Sequence, residues 1–426
     1  MKLRALFSRP LLVVLFAGFP LAAQTTVIQC GRMLDVRSGN LIDNAVIVVS
    51  GEMITHAGSA ASTPVPRTGN VIRLPGATCL PGLMDAHTHV TSDPSVGSYQ
   101  RLGVSLPAAT LTGARNARIN LRAGFTTIRN VGAPGFADVA LRDAIAKGDI
   151  EGPRMLVSGP SFGITGGHCD NNLLPAEVRL PATGTADGPW AARAKVRENV
   201  KYGADLIKVC ASGGVLSKGA TPGTPQFSPE ELAAVVEEAH RLGRKVAAHA
   251  HGTQSIKEAI RAGVDSVEHS SLIDDEGIRL AKEKGTWLVF DIYNDDYILA
   301  EGIKNGLLPE MIEKEKMVGQ TQRENFRKAY LAGAKIAFGT DAGVYPHGDN
   351  WKQFSKAVEW GMKPLEAIRS ATLATAELFG IADKAGAIEP GRWADIIAVE
   401  GNPLEQIDRL RDVRFVMKAG KIYRND

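Results

Sequence analysis

The sequence predicts an α/β fold: a (β/α)8 TIM barrel with a small flanking β-sandwich formed by the N- and C-terminal segments. Three observations carry this. Eight short strand-like runs alternate with helical patterns through the middle of the chain. Helices there end in Gly just before the next strand, at Leu242-Gly243, Ala262-Gly263 and Ala332-Gly333, which is αβ-turn chemistry. Both ends of the chain instead carry β-type runs separated by Gly, Asn and Pro, the pattern of short strands and turns.

Residues 1–23 read as a signal peptide. Lys2, Arg4 and Arg9 precede an apolar run from Leu11 to Phe19, and Leu21-Ala22-Ala23 leads into Gln24, the tripartite secretory pattern. The run is short for a membrane span; an uncleaved N-terminal anchor is the alternative. The mature chain is expected to be secreted or periplasmic, with no stable membrane anchor. Residues 24–80 form the first part of the sandwich, with strands Val27 to Cys30, Ala45 to Ser50 and Val71 to Leu80. Residues 81–383 form the barrel. Its strands are Leu83 to Val90, Thr126 to Val131, Met155 to Ser158, Leu206 to Ala211, Val246 to His251, Ser266 to His269, Trp287 to Ile292 and Ile336 to Thr340. Residues 384–426 complete the sandwich through Ala394 to Glu400, Val413 to Ala419 and Lys421 to Tyr423. A doubly wound open sheet is the alternative, but no Gly-rich dinucleotide turn follows the first strand.

A chain of 426 residues suits one large barrel with a small module. Its hydrophobic fraction of 44% and charged fraction of 22% describe an ordinary globular protein. The formal net charge of +3 falls to 3 − 3 = 0 once the three leader cations are removed. With no clustered basic stripe, nucleic acid is excluded as a partner. The spacing of Cys30, Cys79, Cys169 and Cys210 suits no zinc knuckle. Buried thiols are the expected state, with a Cys30–Cys79 bridge in an exported module as the alternative.

The polar residues gather at the C-terminal ends of the predicted strands, the catalytic face of a barrel. Strand one ends Asp85-Ala86-His87-Thr88-His89, and alternation points His87 and His89 the same way. Strand four carries Lys208 among apolar neighbours, a costly burial unless the amine is modified, paired or neutral; a lysine snorkelling outward is the alternative. Strand five ends His249-Ala250-His251, strand six Val267-Glu268-His269, and strand eight Gly339-Thr340-Asp341. Asp341 between glycines could be a turn former alone. Together, imidazoles and carboxylate at matching strand ends are ligands for zinc or a related divalent ion.

This ordered set, HxH, Lys, His, His and Asp, resembles the binuclear amidohydrolase superfamily. So do Pro81-Gly82-Leu83-Met84-Asp85, Gly339-Thr340-Asp341-Ala342 and the tail from Ala385 to Ile396. The resemblance implies two divalent metal ions, zinc being the expected one, bridged by a carboxylated Lys208. It implies that His87 and His89 bind the more buried ion, and that His249 and His269 bind the second. Asp341 binds the first ion and acts as catalytic acid and base. His251 has no place in that set and is either substrate-facing or inert.

Within the superfamily, Lys208 to Gly214, the Gly166-Gly167-His168 loop and His249 to Gly252 resemble the branch of Xaa-Pro and Xaa-Arg dipeptidases and ochratoxin-hydrolysing amidases. The implied reaction releases a C-terminal amino acid from a dipeptide or N-acyl amino acid. Ochratoxin A, giving ochratoxin alpha and phenylalanine, is one candidate substrate. Substrate-side candidates by position are His168, Ser212, Gly213, Gly214, His251, Tyr293 and His347, each also readable as a plain loop residue. Ser212 to Gly214 are expected to offer backbone N–H groups. No lone Arg stands out to clamp a substrate carboxylate. The partner is a small molecule or dipeptide, and relatives in this branch point to a homo-oligomer. Hydrolysis of a cyclic amide or lactone, as in imidazolonepropionase, is the alternative, against which Lys208 counts. A scaffold that has lost its metal is disfavoured because every expected ligand is present.

Overall fold

A computed structural model describes residues 25–178 and 183–426. The predicted leader lies outside the described residues. All eight predicted central strands form: β5 (Leu83–Thr88), β6 (Phe125–Asn130), β7 (Arg154–Val157), β8 (Leu206–Cys210), β9 (Lys245–Ala250), β10 (Ser266–His269), β11 (Trp287–Phe290) and β12 (Ile336–Phe338). β8 to β12 pair in parallel in sequence order, and so do β5 to β7. One parallel bridge joins these two sheets at each seam, Thr88 to Ala342 and Phe162 to Val209. β8 and β10 are buried along their whole length, so their polar residues Lys208, Glu268 and His269 are held inside the protein.

The helices between them are set by local chemistry. Pro229–Arg241 starts with Pro at its first turn and a reciprocal Ser228/Glu231 cap, then buries Leu232, Val235, Val236 and Ala239 on one face. The predicted turn glycines Gly263 and Gly333 take φ of +95° and +71°, where a Cβ would be strained. After β11 the chain makes a two-helix excursion, Asn294–Glu301 and the 23-residue Pro309–Leu331. It lies over the catalytic end of the strands and supplies cavity wall there.

The two chain ends do meet, but as one seven-stranded sheet where a two-sheet sandwich is predicted. Its order is β15 (Lys421–Asn425), β14 (Val413–Lys418), β13 (Ile396–Glu400), β4 (Asn70–Pro81), β1 (Thr25–Leu34), β2 (Leu41–Ser50) and β3 (Met53–Ser59). The reason is edge pairing: β13 runs antiparallel along β4, with Ile397 opposite Leu80. β3, which the sequence reading omits, extends the far edge. Ile28, Ile47, Ile396, Phe415 and Met417 bury one apolar cluster against this sheet.

The cysteines depart from the expected thiols. Cys30 bridges Cys79 between the neighbouring strands β1 and β4, and Cys169 bridges Cys210. The first is the bridge named as the alternative from the sequence; the second pair was not foreseen, because it depends on which loop meets the end of β8. The Cys30–Cys79 bridge closes a loop of 49 residues. Replacing both by Ala is expected to lower unfolding free energy by about 2–4 kcal/mol, read from guanidinium denaturation. No shift in the midpoint would show that the bridge constrains nothing.

Candidate metal centre

The strand ends deliver their side chains to one floor. β5 is pinned to the segment after β12: the Asp341 N–H donates to the His87 carbonyl (2.8 Å) and the His89 N–H to the Ala342 carbonyl (2.7 Å). His269, Ser270 and Asp341 have φ of +68°, +50° and +55°, a region that non-glycine residues rarely occupy outside functional sites. The His87, His89 and Asp341 donor atoms converge. Asp341 Oδ1 lies 3.3 Å from His87 Nε2 and 3.2 Å from His89 Nε2. Two further sets of donor atoms gather beside them, His249/His251/His269 and His269/Asp291/Asp341.

Hydrogen bonding fixes what these atoms can do. His87 Nδ1 faces Glu268 Oε2 at 2.9 Å, and His269 Nδ1 faces Asp291 Oδ2 at 2.9 Å. A carboxylate only accepts, so both Nδ1 atoms carry hydrogen and both Nε2 lone pairs turn toward the floor. His87 Nε2 and Asp341 Oδ1 are buried without a hydrogen-bond partner. Two lone pairs facing each other in a buried floor are satisfied by a proton or a metal ion shared between them. Carboxylate-backed imidazoles are the usual support of metal-binding histidines. The residues therefore fit a divalent metal ion.

Charge behaviour agrees at His89, which burial lowers, while at His87 burial and Lys208 are outweighed by Asp341 and Glu268 and the imidazole is raised. Burial and neighbouring imidazoles push His249 and His251 well below the usual range, and burial first, then His269 and Lys208, lowers His168 to about 3. Neutral imidazole is the ligating form. Burial works against ionising Asp341, but His87 and His89 outweigh it and hold the carboxyl well below its ordinary range. Lys208, 3% exposed, does not snorkel outward. Burial lowers its amine to about 8 despite the nearby carboxylates Glu268 and Asp341.

Several supporting residues were not legible beforehand. Arg129 donates to Glu268 Oε1 (2.7 Å), to Ser266 Oγ (3.1 Å) and to the Ala86 carbonyl (2.6 Å). Gln322 and Asn294 donate to the two oxygens of Asp291 (2.7 and 2.6 Å), and Asn294 reaches Asp341 Oδ2 (3.1 Å). Asp85 accepts from Thr340 Oγ1 and Asn350 Nδ2 (2.5 and 2.8 Å). A charged Arg129 inside the fully buried strand β6 was the one available signal.

The predicted substrate-side residues divide. His168 and His251 line a cavity of about 320 Å³ above the floor, together with Arg101, Leu216, Ile298 and Glu315. His168 stacks on His249 at 4.2 Å, and the Cys169–Cys210 bridge fastens its loop to the end of β8. His251 Nδ1 lies 2.8 Å from Ser271 Oγ. Ser212, Gly213 and Gly214 are not cavity wall. Ser212 Oγ accepts the His251 N–H (2.9 Å). The Gly213 N–H is already given to the Thr224 carbonyl (3.0 Å), so the expected free donor is absent there. Gly214 makes room for an imidazole: a Cβ there would sit 2.2 Å from the His168 ring. Tyr293 and His347 also lie off the cavity. Tyr293 accepts from Lys352 (3.0 Å) and packs edge-on against Tyr345. His347 pairs with Asn120 and the His89 carbonyl (2.8 and 3.3 Å), bracing β5 from behind.

Residues 78–423 match the model of the amidohydrolase family. The chain belongs to that family. This amidohydrolase is 36% identical to ochratoxinase of Aspergillus niger, over 94% of this chain and 87% of the relative. The crystal structure of A. niger ochratoxinase aligns with a TM-score of 0.84 at 34% identity, covering 95% of this chain and 96% of that one. A Xaa-Pro dipeptidase with methionine bound in its active site aligns with a TM-score of 0.90 at 40% identity, covering 94% and 100%. A prolidase complexed with N-methylphosphonate-L-proline aligns at 0.88 with 30% identity, covering 95% and 100%. The amidohydrolase is accordingly a hydrolase of amide bonds.

Glu268 is the test of the supporting layer. Glu268→Gln keeps a hydrogen-bond acceptor for His87 but removes the charge behind it. It is expected to weaken metal affinity by roughly 10–100-fold, measured by competition with a chromogenic chelator. Unchanged affinity would contradict the role given to Glu268.

Proposed function

We propose that this amidohydrolase holds two divalent ions, zinc first among them, and releases a C-terminal amino acid from a dipeptide or N-acyl amino acid. The observation that carries this is the floor itself: His87, His89 and Asp341 converge beside the buried Lys208 and the His249/His269 pair. We read the eight strands as one closed barrel, which the bridges at both seams support.

In this reading the Lys208 amine would carry a carboxylate able to hold both ions. Burial favours that state: a neutral amine is what takes up CO2, and an amine near 8 is partly neutral at working pH. That carboxylate also replaces a buried cation by a ligand anion, which removes an unfavourable burial. The ions, when bound, supply Lewis acidity to the substrate carbonyl and to water. The rest falls to side chains. Asp341 takes a proton from the attacking water and passes it to the leaving nitrogen. Asn294 steadies Asp341 through Oδ2, leaving Oδ1 directed at the floor. His168, held on the wall by stacking and by its disulfide-tethered loop, faces the substrate.

The substrate class rests on the relatives. Methionine in one neighbour's active site and a proline phosphonate in another are amino acids or mimics of a cleaved aminoacyl bond. Ochratoxin A, by the likeness to ochratoxinase, is one candidate among N-acyl amino acids. Two disulfides support export to an oxidising compartment.

The decisive experiment incubates zinc-loaded protein in bicarbonate buffer with dipeptides, N-acyl amino acids and ochratoxin A, following free amino acid by mass spectrometry. Release is expected, abolished by chelator and reduced at least about 100-fold in Asp341→Asn. No release from any member at full metal occupancy would overturn the reading.

A further inference from the structure

The cavity wall contains two cationic residues, Lys208 on the floor and Arg101 at the mouth. Arg101 comes from the loop after β5, in the short helical turn Gln100–Gly103. Among the described residues its side chain makes one hydrogen bond, from Nε to the Val96 carbonyl (3.2 Å). Among the described residues no carboxylate lies within 4.0 Å of its guanidinium, and residues 1–24 and 179–182 contain no Asp or Glu. Leu216, Ile298 and Val344 share the cavity with it, alongside the polar His168 and Glu315. The residue as a whole is exposed, but protein packed around the guanidinium lowers its basicity, and Asp341 is the charge that acts back on it. A guanidinium whose Nη atoms find no hydrogen-bond partner among the described residues is a planar fork suited to a carboxylate.

The loop is also braced. The Ser98 N–H donates to the Gly306 carbonyl (3.2 Å), and a Cβ on Gly97 would meet the Asn305 carbonyl oxygen at 2.5 Å. Arg101 is thus set against the two-helix excursion after β11, on a backbone with little room to move. Rigid placement lowers the ordering cost of each hydrogen bond that it makes to a ligand.

We propose that Arg101 receives the free α-carboxylate of the substrate's C-terminal residue and so makes the enzyme selective for C-terminally free amides. This rests on the amino-acid-releasing reading above. The residue is a specificity determinant. It leaves bond cleavage to the floor.

The test compares wild-type, Arg101→Met and Arg101→Lys proteins, each zinc-loaded, with metal content and circular dichroism recorded. Substrates are matched pairs, an N-acyl amino acid and its C-terminal amide. For the free acid, Arg101→Met is expected to raise KM roughly 10–100-fold, the worth of a lost charge-assisted hydrogen bond, with kcat changed less than about 3-fold. Arg101→Lys should fall between. The amide should lose nothing further in Arg101→Met. Equal losses on acid and amide, or an unchanged KM for the acid, would overturn the proposal. Titration calorimetry with L-methionine and L-methioninamide reads the same contact without turnover. Wild type should prefer the acid, and Arg101→Met should not. If no substrate is cleaved, the functional reading fails, and the calorimetric preference still decides the fate of Arg101.

Discussion

The architecture of the site follows from one requirement: two electron-pair donors, His87 Nε2 and Asp341 Oδ1, face each other at 3.3 Å in a buried floor. A metal ion satisfies both. In its absence a proton competes for the place: burial and Lys208 oppose charging His87, yet Asp341 and Glu268 raise it overall. Either way the floor needs a cation, and the surrounding structure holds the donors in place against that need. The left-handed backbones of His269 and Asp341 are part of this. Such conformations persist only where neighbours over-determine them, and here β5 hydrogen-bonds directly to the Asp341 segment.

Behind the ligands lies a second set of charges with its own logic. Arg129 and Glu268 form a fully buried ion pair. Burying two ions is costly, so such a pair persists where geometry and extra hydrogen bonds compensate. Arg129 spends three donors on Glu268, Ser266 and Ala86, and Glu268 still reaches His87. Asp291 plays the same part for His269, held by Gln322 and Asn294. Gln322 belongs to the long helix after β11 and Asn294 to the short one. The excursion that walls the cavity therefore also orients His269 through Asp291.

The residues proposed as ligands stood out in the sequence because strand ends repeat a local signal. His87, His89, His249, His269 and Asp341 stand at or beside strand ends and Lys208 in the middle of a strand, and eight such strands imply one catalytic face. Residues whose role depends on the third dimension were not readable. Glu268 sat in plain view beside His269, but its partners Arg129 and His87 are 139 and 181 residues away. Arg101 lay in a loop with no periodicity to aim it. Tyr293 and His347 sat at the right strand ends, yet their side chains turn into packing against Tyr345 and Asn120. The terminal strands were visible as strands, while their merger into one sheet depends on β13 finding the edge of β4.

The central claim is that two ions share this floor around Lys208. Anomalous diffraction at the zinc edge, from crystals grown with zinc and bicarbonate, tests it most directly. The account predicts two peaks, one among His87, His89 and Asp341 and one beside His249 and His269, with added density on the Lys208 amine between them. A single peak, or a second one held by His249, His251 and His269 with Lys208 left unmodified, would contradict it.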